Sequence, residues 1–235
     1  MANSALYLFP VPLSDTDIDR VIPTINSAII RDIRYFIVEN IRSARRFLKK
    51  CDKSINIDEL TFYTLNTHTK SEEISDFLTP LINGNSIGVI SEAGCPAIAD
   101  PGADVVAIAQ RKGLRVIPLV GPSSILMSLM GSGFNGQSFT FHGYLPIDAA
   151  ERSRKFKEME RAININNQTQ IFIETPYRNN KLIAEMIRTL PKNILLCIAS
   201  DITGEKESIK TLSINDWGKI NPTYDKIPAI FLLYK

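Results

Sequence analysis

The 235-residue sequence has few of the residues that form metal centres and covalent cross-links. Its three cysteines (Cys51, Cys95 and Cys197) lie far apart and form no Cys-x-x-Cys pair. This pattern argues against a zinc site and a disulfide framework and is typical of a reducing compartment. Because no histidine is near Cys95 in sequence, we do not expect that thiol to be a nucleophile. We expect His68 and His142 to be hydrogen-bonded structural side chains.

Long apolar runs, internal repeats and a strong charge imbalance are also missing. No apolar stretch is long enough to span a bilayer, and the first residues lack the basic start of a signal peptide. A net charge of +2 is too small to predict nucleic-acid binding by itself. With 44% apolar and 22% charged residues, the composition is that of a globular protein with a core. We therefore expect a cytoplasmic protein without a membrane segment or a metal ion.

The most informative segment is a loop rich in glycine and proline at positions 91–102. It follows the apolar run Ile87–Ile90, a predicted buried strand, and it opens a predicted helix. Ligands of open α/β sheets bind at the carboxyl ends of strands. Gly94 allows a positive φ or a close approach of backbone to a ligand. The loop therefore predicts a ligand site, and the alternative is a turn that binds nothing.

Two more loops of this kind follow predicted strands. Pro10–Asp15 follows the first strand and precedes a helix predicted over Ile18–Ile25, and Gly121–Ser124 opens a later helix. Ser123 and Ser124 offer hydroxyls and the free N–H groups of a helix N-terminus. Strands and helices alternate up to this point, which predicts a mostly parallel α/β sheet. We place the domain boundary between residues 117 and 118, with a mixed sheet in the second domain.

A predicted helix over residues 40–50 carries cations on one face. Arg42, Arg45, Arg46 and Lys49 are spaced i, i+3, i+4 and i+7, so they project together. Like charges repel, and phosphate is the usual partner of such a stripe. We predict that Arg42 and Arg45 contact phosphate groups of a substrate. The alternative is a solvated helix face.

Three glutamates each follow a predicted strand and are candidate bases. They are Glu39, Glu92 and Glu174. A carboxylate at a strand end can accept a proton or orient a hydroxyl. Each can equally be a structural cap or the partner of an arginine. Arg178, four residues after Glu174, is a further candidate phosphate contact.

The order of these motifs resembles the tetrapyrrole methylase superfamily, whose members use S-adenosylmethionine, over nearly the whole chain. The matching segments are Glu92–Pro96 with Asp100–Gly102, Val120–Ser124, Phe141–Pro146 and Glu174–Arg178. Within the superfamily, the chain is most similar to enzymes that methylate a ribose 2′-hydroxyl of 16S ribosomal RNA. Polar positions depart from the family's pattern in Val11–Asp15, Glu39–Arg42 and Ser200–Gly204.

The resemblance implies a two-domain tetrapyrrole methylase fold, with a cofactor cleft between the domains. It implies that small residues of both domains hold S-adenosylmethionine. These residues are Pro12, Ala93, Gly94, Cys95, Ile98, Ser123, Ser124, Ala199, Pro228 and Ala229. It also implies a homodimer, with RNA of the small ribosomal subunit as partner.

Three functions remain open from the sequence. The first is an S-adenosylmethionine-dependent methyltransferase that acts on ribosomal RNA. The second is a methyltransferase acting on a tetrapyrrole or another small molecule; the cationic stripe argues against it, since a macrocycle needs a wide apolar trough. The third is a module that binds cofactor or RNA without turnover, which the altered polar positions would suit. Methyl transfer to RNA would separate them.

Overall fold

The computed structural model describes residues 4–66, 69–220 and 222–235. It contains two compact units, of which the first ends at Ser123 and the second begins at Ser124. We call them the N-terminal unit and the C-terminal unit. The N-terminal unit includes the loop 119–123, which the sequence-based boundary between residues 117 and 118 assigns to the second domain. The functional roles of the two domains stay predictions.

The N-terminal unit contains a five-stranded sheet in which every pairing is parallel. Its order is β3-β2-β4-β1-β5. The strands are β1 Leu6–Phe9, β2 Tyr35–Val38, β3 Thr61–Thr64, β4 Ile87–Ile90 and β5 Val116–Pro118. The central strand β4 is buried throughout, as its continuous apolar sequence predicts. The predicted parallel sheet is thus confirmed.

Helices cover both faces of this sheet. They are α1 Thr24–Arg31, α2 Ile41–Cys51, α3 Ser71–Phe77, α4 Thr79–Ile82 and α5 Gly102–Arg111. On one face, Phe36 and Val38 pack with Phe47 of α2. On the other face, Ile37 packs with Val105 of α5 and with side chains of α3 and α4. The alternation of side chains along β2 therefore separates α2 from α3, α4 and α5.

The first predicted helix is wrong. Only a single 3-10 turn forms at Ile18–Arg20, and α1 begins at Thr24. Pro23 stands between the two pieces, because proline fits the start of a helix but not its interior. As a result Ile25 is 61% exposed instead of facing the core. Strand β3 was not predicted, since Thr61 and Thr64 are exposed and polar.

The C-terminal unit contains a mixed sheet of order β6-β7-β10-β8-β9. Its elements are α6 Ser124–Ser132, β6 Phe139–Tyr144, α7 Ala149–Asn166, β7 Thr169–Ile173, α8 Asn179–Thr189, β8 Leu195–Ser200, β9 Ser208–Ser213, α9 Ile214–Trp217 and β10 Ala229–Tyr234. Strands β6 and β7 are parallel, and the other pairings are antiparallel. The mixed sheet is as predicted, whereas β9 was not.

An apolar cluster forms the core of the C-terminal unit. Trp217 is a buried member of this cluster and donates a hydrogen bond from Nε1 to the carbonyl of Leu196, at 2.8 Å. Phe172 stacks on Phe231 with ring centroids 5.7 Å apart. In the part of the chain that the structure describes, no helix has the length and apolarity to cross a membrane.

Candidate active site

The parallel topology brings the ends of three strands together. Phe9 of β1 and Val38 of β2 both lie opposite Ile90 of β4. The segments that continue from these residues therefore start side by side, at one edge of the sheet. Glu39 begins one of them and Ser91 another. This carboxyl edge is where the sequence predicts a ligand site.

Backbone bonds join the loop of Gly94 to the two other predicted cofactor loops. Val11 N donates to Gly94 O at 2.9 Å, and Gly94 N donates to Val11 O at 3.1 Å. The thiol of Cys95 donates to the carbonyl of Pro122 at 3.4 Å. The structure thus brings together the loops that contain Pro12, Gly94 and Ser123. None of the three lies next to another in sequence.

Two glycines make this meeting of loops possible. Gly94 has a φ of +70°, and a Cβ there would lie 3.2 Å from Leu13 Cδ2. A Cβ on Gly121 would lie 2.3 Å from Pro10 Cβ, which is closer than any real contact. Only glycine therefore fits at Gly121 without displacing the first loop. At Gly94 a side chain would also occupy space beside the loop backbone, 3.7 Å from the carbonyl oxygen of Pro122.

The loop between β4 and α5 holds a strained backbone. Ala97 and Ala99 have φ angles of 67° and 60°, a region that disfavours side chains. The carboxylate of Asp100 fixes this turn by accepting hydrogen bonds from Ala97 N, at 2.9 Å, and Gly102 N, at 2.7 Å. Ile98, between the two strained residues, is 53% exposed. Strain of this kind concentrates at ligand sites, and here it presents an apolar side chain to solvent.

Glu39 is half-buried beside this loop. Its Oε1 accepts a hydrogen bond from Glu92 N at 3.3 Å. Burial raises the pKa of the Glu39 carboxyl, the Glu92 amide opposes that change, and the charges of Asp100 and Glu92 raise the pKa further. Burial likewise raises the pKa of Asp100. A carboxylate with a raised pKa is a better proton acceptor than an ordinary glutamate.

Glu92 is exposed and lies next to the start of α2. Its Oε1 accepts a hydrogen bond from Ser43 Oγ. Asn40 caps the helix, since its side chain accepts from Arg42 N at 2.8 Å and Ser43 N at 3.3 Å. The cap fixes where α2 begins and therefore which of its side chains face the carboxyl edge.

A cleft of about 520 Å³ lies between α2 and the ends of β1 and β4; we call it the α2 cleft. Its lining residues are Val11, Pro12, Ser14, Asp15, Ser43, Arg46, Phe47, Lys50, Ile90, Ser91 and Glu92. Its two cations come from α2, and the ammonium group of Lys50 forms an ion pair with Asp15. The volume is in the range that takes small ligands.

The predicted phosphate contacts of α2 lie outside this lining. Arg42 and Arg45 are exposed, and the guanidinium carbon of Arg45 lies 5.5 Å from the ring centroid of Phe62. Arg46 belongs to the predicted cationic stripe but was not among the predicted phosphate contacts. Lys50 was in neither set. Ser43, Arg46 and Lys50 are spaced i, i+3 and i+7, which places them on one face of the helix. This spacing is the sequence signal that could have identified the two cations of the cleft.

Glu174 of the C-terminal unit has a cation as its partner. Its side chain is 7% exposed, and its Oε1 lies 2.8 Å from Nη2 of Arg178. Arg178 Nε also donates to Thr175 Oγ1 at 3.0 Å. The structure therefore shows the alternative considered for this glutamate, an arginine partner. A second pair, Arg152 with Glu185 at 2.6 Å, is buried close by, and both pairs line one small cavity.

Of the predicted cofactor residues in the C-terminal unit, Ser124 begins α6, and the other three lie on or next to the neighbouring strands β8 and β10. Ala199 of β8 is opposite Ile230 of β10, next to Ala229, and Asp201 N donates to Pro228 O at 3.0 Å. The structure thus brings Ala199, Pro228 and Ala229 together. Their role in cofactor binding stays a prediction.

His142 has no part in the carboxyl edge that the described residues form. His142 Nε2 lies 2.8 Å from Gln170 Oε1, which confirms the prediction of a hydrogen-bonded histidine. Burial lowers its pKa, and the bond to Gln170 opposes that change. His68 lies outside the described residues.

Comparison with solved structures defines the class of fold. The methyltransferase CobJ superposes over 100% of this chain and 95% of its own, with a TM-score of 0.64 at 12% identity. Uroporphyrin III C-methyltransferase from Thermus thermophilus superposes over 99% of this chain and 98% of its own, with a TM-score of 0.59 at 14% identity. The chain has the two-domain tetrapyrrole methylase fold, as predicted.

Sequence comparison points to one group of proteins with a more specific name. Ribosomal RNA small subunit methyltransferase I of Vibrio cholerae is 29% identical over 211 residues, 89% of this chain and 68% of that protein. The protein of that name from Streptococcus pyogenes is 30% identical over 185 residues, 79% of this chain and 60% of its own length. The Pseudomonas aeruginosa protein is 26% identical over 220 residues. No protein-family model matches the chain.

The predicted resemblance to the tetrapyrrole methylase superfamily is thus confirmed in the fold. Relatives in sequence and neighbours in fold are both named methyltransferases, which supports the predicted class of enzyme. The chain spans 60% to 68% of the length of the first two relatives.

Proposed function

We propose that this chain is an S-adenosylmethionine-dependent methyltransferase that methylates a ribose 2′-hydroxyl of small-subunit ribosomal RNA. The observation that carries the proposal is the meeting of three small-residue loops at one sheet edge, beside a half-buried glutamate. The similarity to proteins named ribosomal RNA small subunit methyltransferase I supports RNA as the substrate.

The residues of the N-terminal unit fit the cofactor. A Cβ at Gly94 would fill the space beside the loop backbone, and Ile98 presents an apolar side chain that is 53% exposed. In this proposal, backbone groups of Ala93 and Cys95 hydrogen-bond the ligand, and Ile98 packs on it. The remaining residues of the proposed set are Pro12, Ser123, Ser124, Ala199, Pro228 and Ala229. S-adenosylmethionine supplies the electrophilic methyl group.

Glu39 is the proposed base. A ribose hydroxyl is a poor nucleophile, and a carboxylate that accepts its proton raises its reactivity. The raised pKa of Glu39 suits this role, and the hydrogen bond from Glu92 N holds its Oε1 in place. Glu92 is exposed and remains a second candidate. Glu174 is the weakest of the three, because the guanidinium of Arg178 occupies its Oε1.

Arg42 and Arg45 remain the proposed contacts to RNA phosphates outside the α2 cleft. Both are exposed on α2, and the stacking of Arg45 on Phe62 holds its charge at the surface. Such contacts position RNA without reading its sequence. Arg178 is a poorer candidate than the sequence suggested, since its charge is paired with Glu174.

Transfer of a labelled methyl group tests this proposal. Small ribosomal subunits from a strain that lacks this gene, and uroporphyrinogen III, are each incubated with the purified chain and labelled S-adenosylmethionine. We expect label in the RNA, at a ribose, and none in the macrocycle. Label in the macrocycle alone would establish the small-molecule alternative, which the fold of the structural neighbours favours. Cofactor binding without transfer to either acceptor would indicate a binding module.

We also propose that the chain acts as a cytoplasmic homodimer, as the family resemblance implies. Specific protein interfaces bury about 1,200 Å² or more, so a dimer should persist at micromolar concentration. Light scattering that gives the mass of one chain, 26.3 kDa, would contradict it.

A further inference from the structure

The α2 cleft has a row of side chains that the proposed cofactor loops do not use. Ser43, Arg46, Phe47 and Lys50 are spaced i, i+3, i+4 and i+7, so one face of α2 lines the cleft. Phe47 packs into the core, whereas Arg46 and Lys50 are exposed. The cleft therefore has an apolar floor and a cationic side.

Charge changes sign along the cleft. Glu92 lies at the start of α2, where it accepts a hydrogen bond from Ser43, and the cations follow one and two turns later. With a rise of 1.5 Å per residue, Ser43 and Lys50 are about 10 Å apart along the axis. A ligand that fits this pattern has hydroxyl groups at one end and a negative charge at the other.

A buried hydroxyl in the lining has no partner. Ser91 is 7% exposed, and its Oγ makes no hydrogen bond to any described residue. An unpaired buried polar group is unfavourable, because it has lost its hydrogen bonds to water. Ser91 lies directly before Glu92, at the hydroxyl-binding end of the cleft. A ligand hydroxyl there would satisfy it.

An acidic side chain already occupies the cationic end. Asp15 is ion-paired with Lys50, and Lys50 and then Arg46 hold the pKa of Asp15 below its usual value. Both cations therefore act on one carboxylate. The Asp15 side chain is 94% exposed, and exposed ion pairs contribute little. A phosphate, with more charge and more acceptor oxygens, can displace it.

We propose that the α2 cleft binds one nucleotide of the substrate RNA by its ribose phosphate. Arg46 and Lys50 contact the phosphate, and Glu92 and Ser91 bond the ribose hydroxyls. The assignment rests on the proposed function, because it takes RNA as the substrate. S-adenosylmethionine has a carboxylate but no phosphate, so a preference of the cleft for phosphorylated ligands would distinguish RNA from cofactor.

Binding of a labelled ten-residue oligouridylate to the full chain tests the proposal by fluorescence anisotropy at several salt concentrations. Arg46→Ala with Lys50→Ala should weaken binding about tenfold or more. It should also make the salt slope shallower by about 0.7, the value for one phosphate contact on single-stranded RNA. Asp15→Asn should tighten binding a few-fold, because it removes the competing carboxylate. Uridine 5′-monophosphate should compete better than uridine.

The matched control also removes two positive charges, but at positions outside the α2 cleft. Lys70→Ala with Arg111→Ala alters two exposed cations next to α3 and at the end of α5, on the opposite face of the sheet. This variant should keep the salt slope of the parent. Thermal melts of each variant confirm that the chain is folded.

Two results would overturn the proposal. In the first, the Arg46/Lys50 variant binds the oligonucleotide as the control does at every salt concentration. In the second, that variant loses S-adenosylmethionine affinity while oligonucleotide binding is unchanged, which would assign the cations to the cofactor's carboxylate. If the expected salt slopes appear but no methyl transfer occurs, the nucleotide site is supported and the proposed function fails.

Discussion

Glutamates end strands in both units, but their neighbours differ. In the C-terminal unit, Glu174 is bonded to Arg178 and is nearly buried, and Glu185 is buried against Arg152. In the N-terminal unit, Glu39 is half-buried, and its carboxylate is held by a backbone amide at 3.3 Å. Burial raises the pKa of Glu39, and the charges of two other acids, Asp100 and Glu92, raise it further.

These different neighbours indicate a structural role for the paired glutamates and a chemical role for Glu39. A carboxylate that is saturated by an arginine stabilises the fold and has little capacity to accept a proton. A carboxylate that is partly desolvated without a cation costs stability, and such groups concentrate at functional sites. On this ground the carboxyl edge of the N-terminal sheet is the better candidate for the reaction.

The largest expected effect lies in the C-terminal unit. Arg152 donates to Glu185 and, at 2.8 Å, to the carbonyls of Pro146 and Ile147. Arg152→Ala leaves a buried carboxylate without its partner, so we expect a loss of about 3–5 kcal/mol in the free energy of unfolding. Urea denaturation measures it. A loss below about 1 kcal/mol would contradict the view that the Arg152–Glu185 pair stabilises the fold, and with it the contrast to Glu39 of the N-terminal unit.

A smaller loss of stability, with loss of cofactor, is expected at Gly94. Gly94→Val places a branched side chain at a φ of +70°, which costs about 1–3 kcal/mol. It also fills the space beside the loop, so the rise in melting temperature with S-adenosylmethionine should disappear.

Gly113→Val is the matched control for this change. Gly113 has a φ of +65° with no atom within 4 Å of a Cβ, so the backbone strain is similar. This variant should lose stability but keep the cofactor response. If both variants respond to cofactor as the parent does, the Gly94 loop does not bind it.

The smallest expected effect is a gain in stability, in contrast to the losses above, and it depends on pH. Because burial raises the pKa of Glu39 above its ordinary 4.5, the ionised carboxylate is less favourable in the folded chain than in the unfolded one. Glu39→Gln should raise the melting temperature at pH 7.5 by at most a few degrees. The gain should shrink as the pH falls toward 4.5 and disappear below it.

Thermal melts over this pH range check the prediction, with Glu72→Gln, an exposed change on α3, as control. A melting temperature that falls at pH 7.5 would mean that Glu39 stabilises the fold as Glu174 does.

Sequence predicted the parts of the fold that depend on continuous apolar runs. Ile87–Ile90 and Tyr35–Val38 are strands because their side chains are buried on both faces of a parallel sheet. The helix at Ile18–Ile25 was wrong, since its apolar spacing continues through Pro23. Strand β3 has exposed threonines at its ends, so its sequence does not show the apolar pattern of a buried strand. It forms a strand because it pairs with β2.

Much of the candidate site depends on contacts between residues that are far apart in the sequence. The bond between Val11 and Gly94 and the hydrogen bond from Glu92 N to Glu39 form only because β4 lies between β1 and β2 in the sheet. Local spacing alone did not show that Glu174 forms an ion pair with an arginine, whereas Glu39 has no ion-pair partner in the described part of the chain. Motif order predicted which loops matter, and topology determined which side chains face each other.

The most direct test of the account compares Glu39 with Glu174 in methyl transfer. Single-turnover rates are measured with saturating S-adenosylmethionine and small ribosomal subunits for the unchanged chain, Glu39→Gln and Glu174→Gln, each corrected for its folded fraction. We predict transfer by the unchanged chain, a fall of about 100-fold or more for Glu39→Gln, and a rate within a few-fold of the parent for Glu174→Gln. No transfer by the folded, unchanged chain, or a large fall for Glu174→Gln alone, would contradict it.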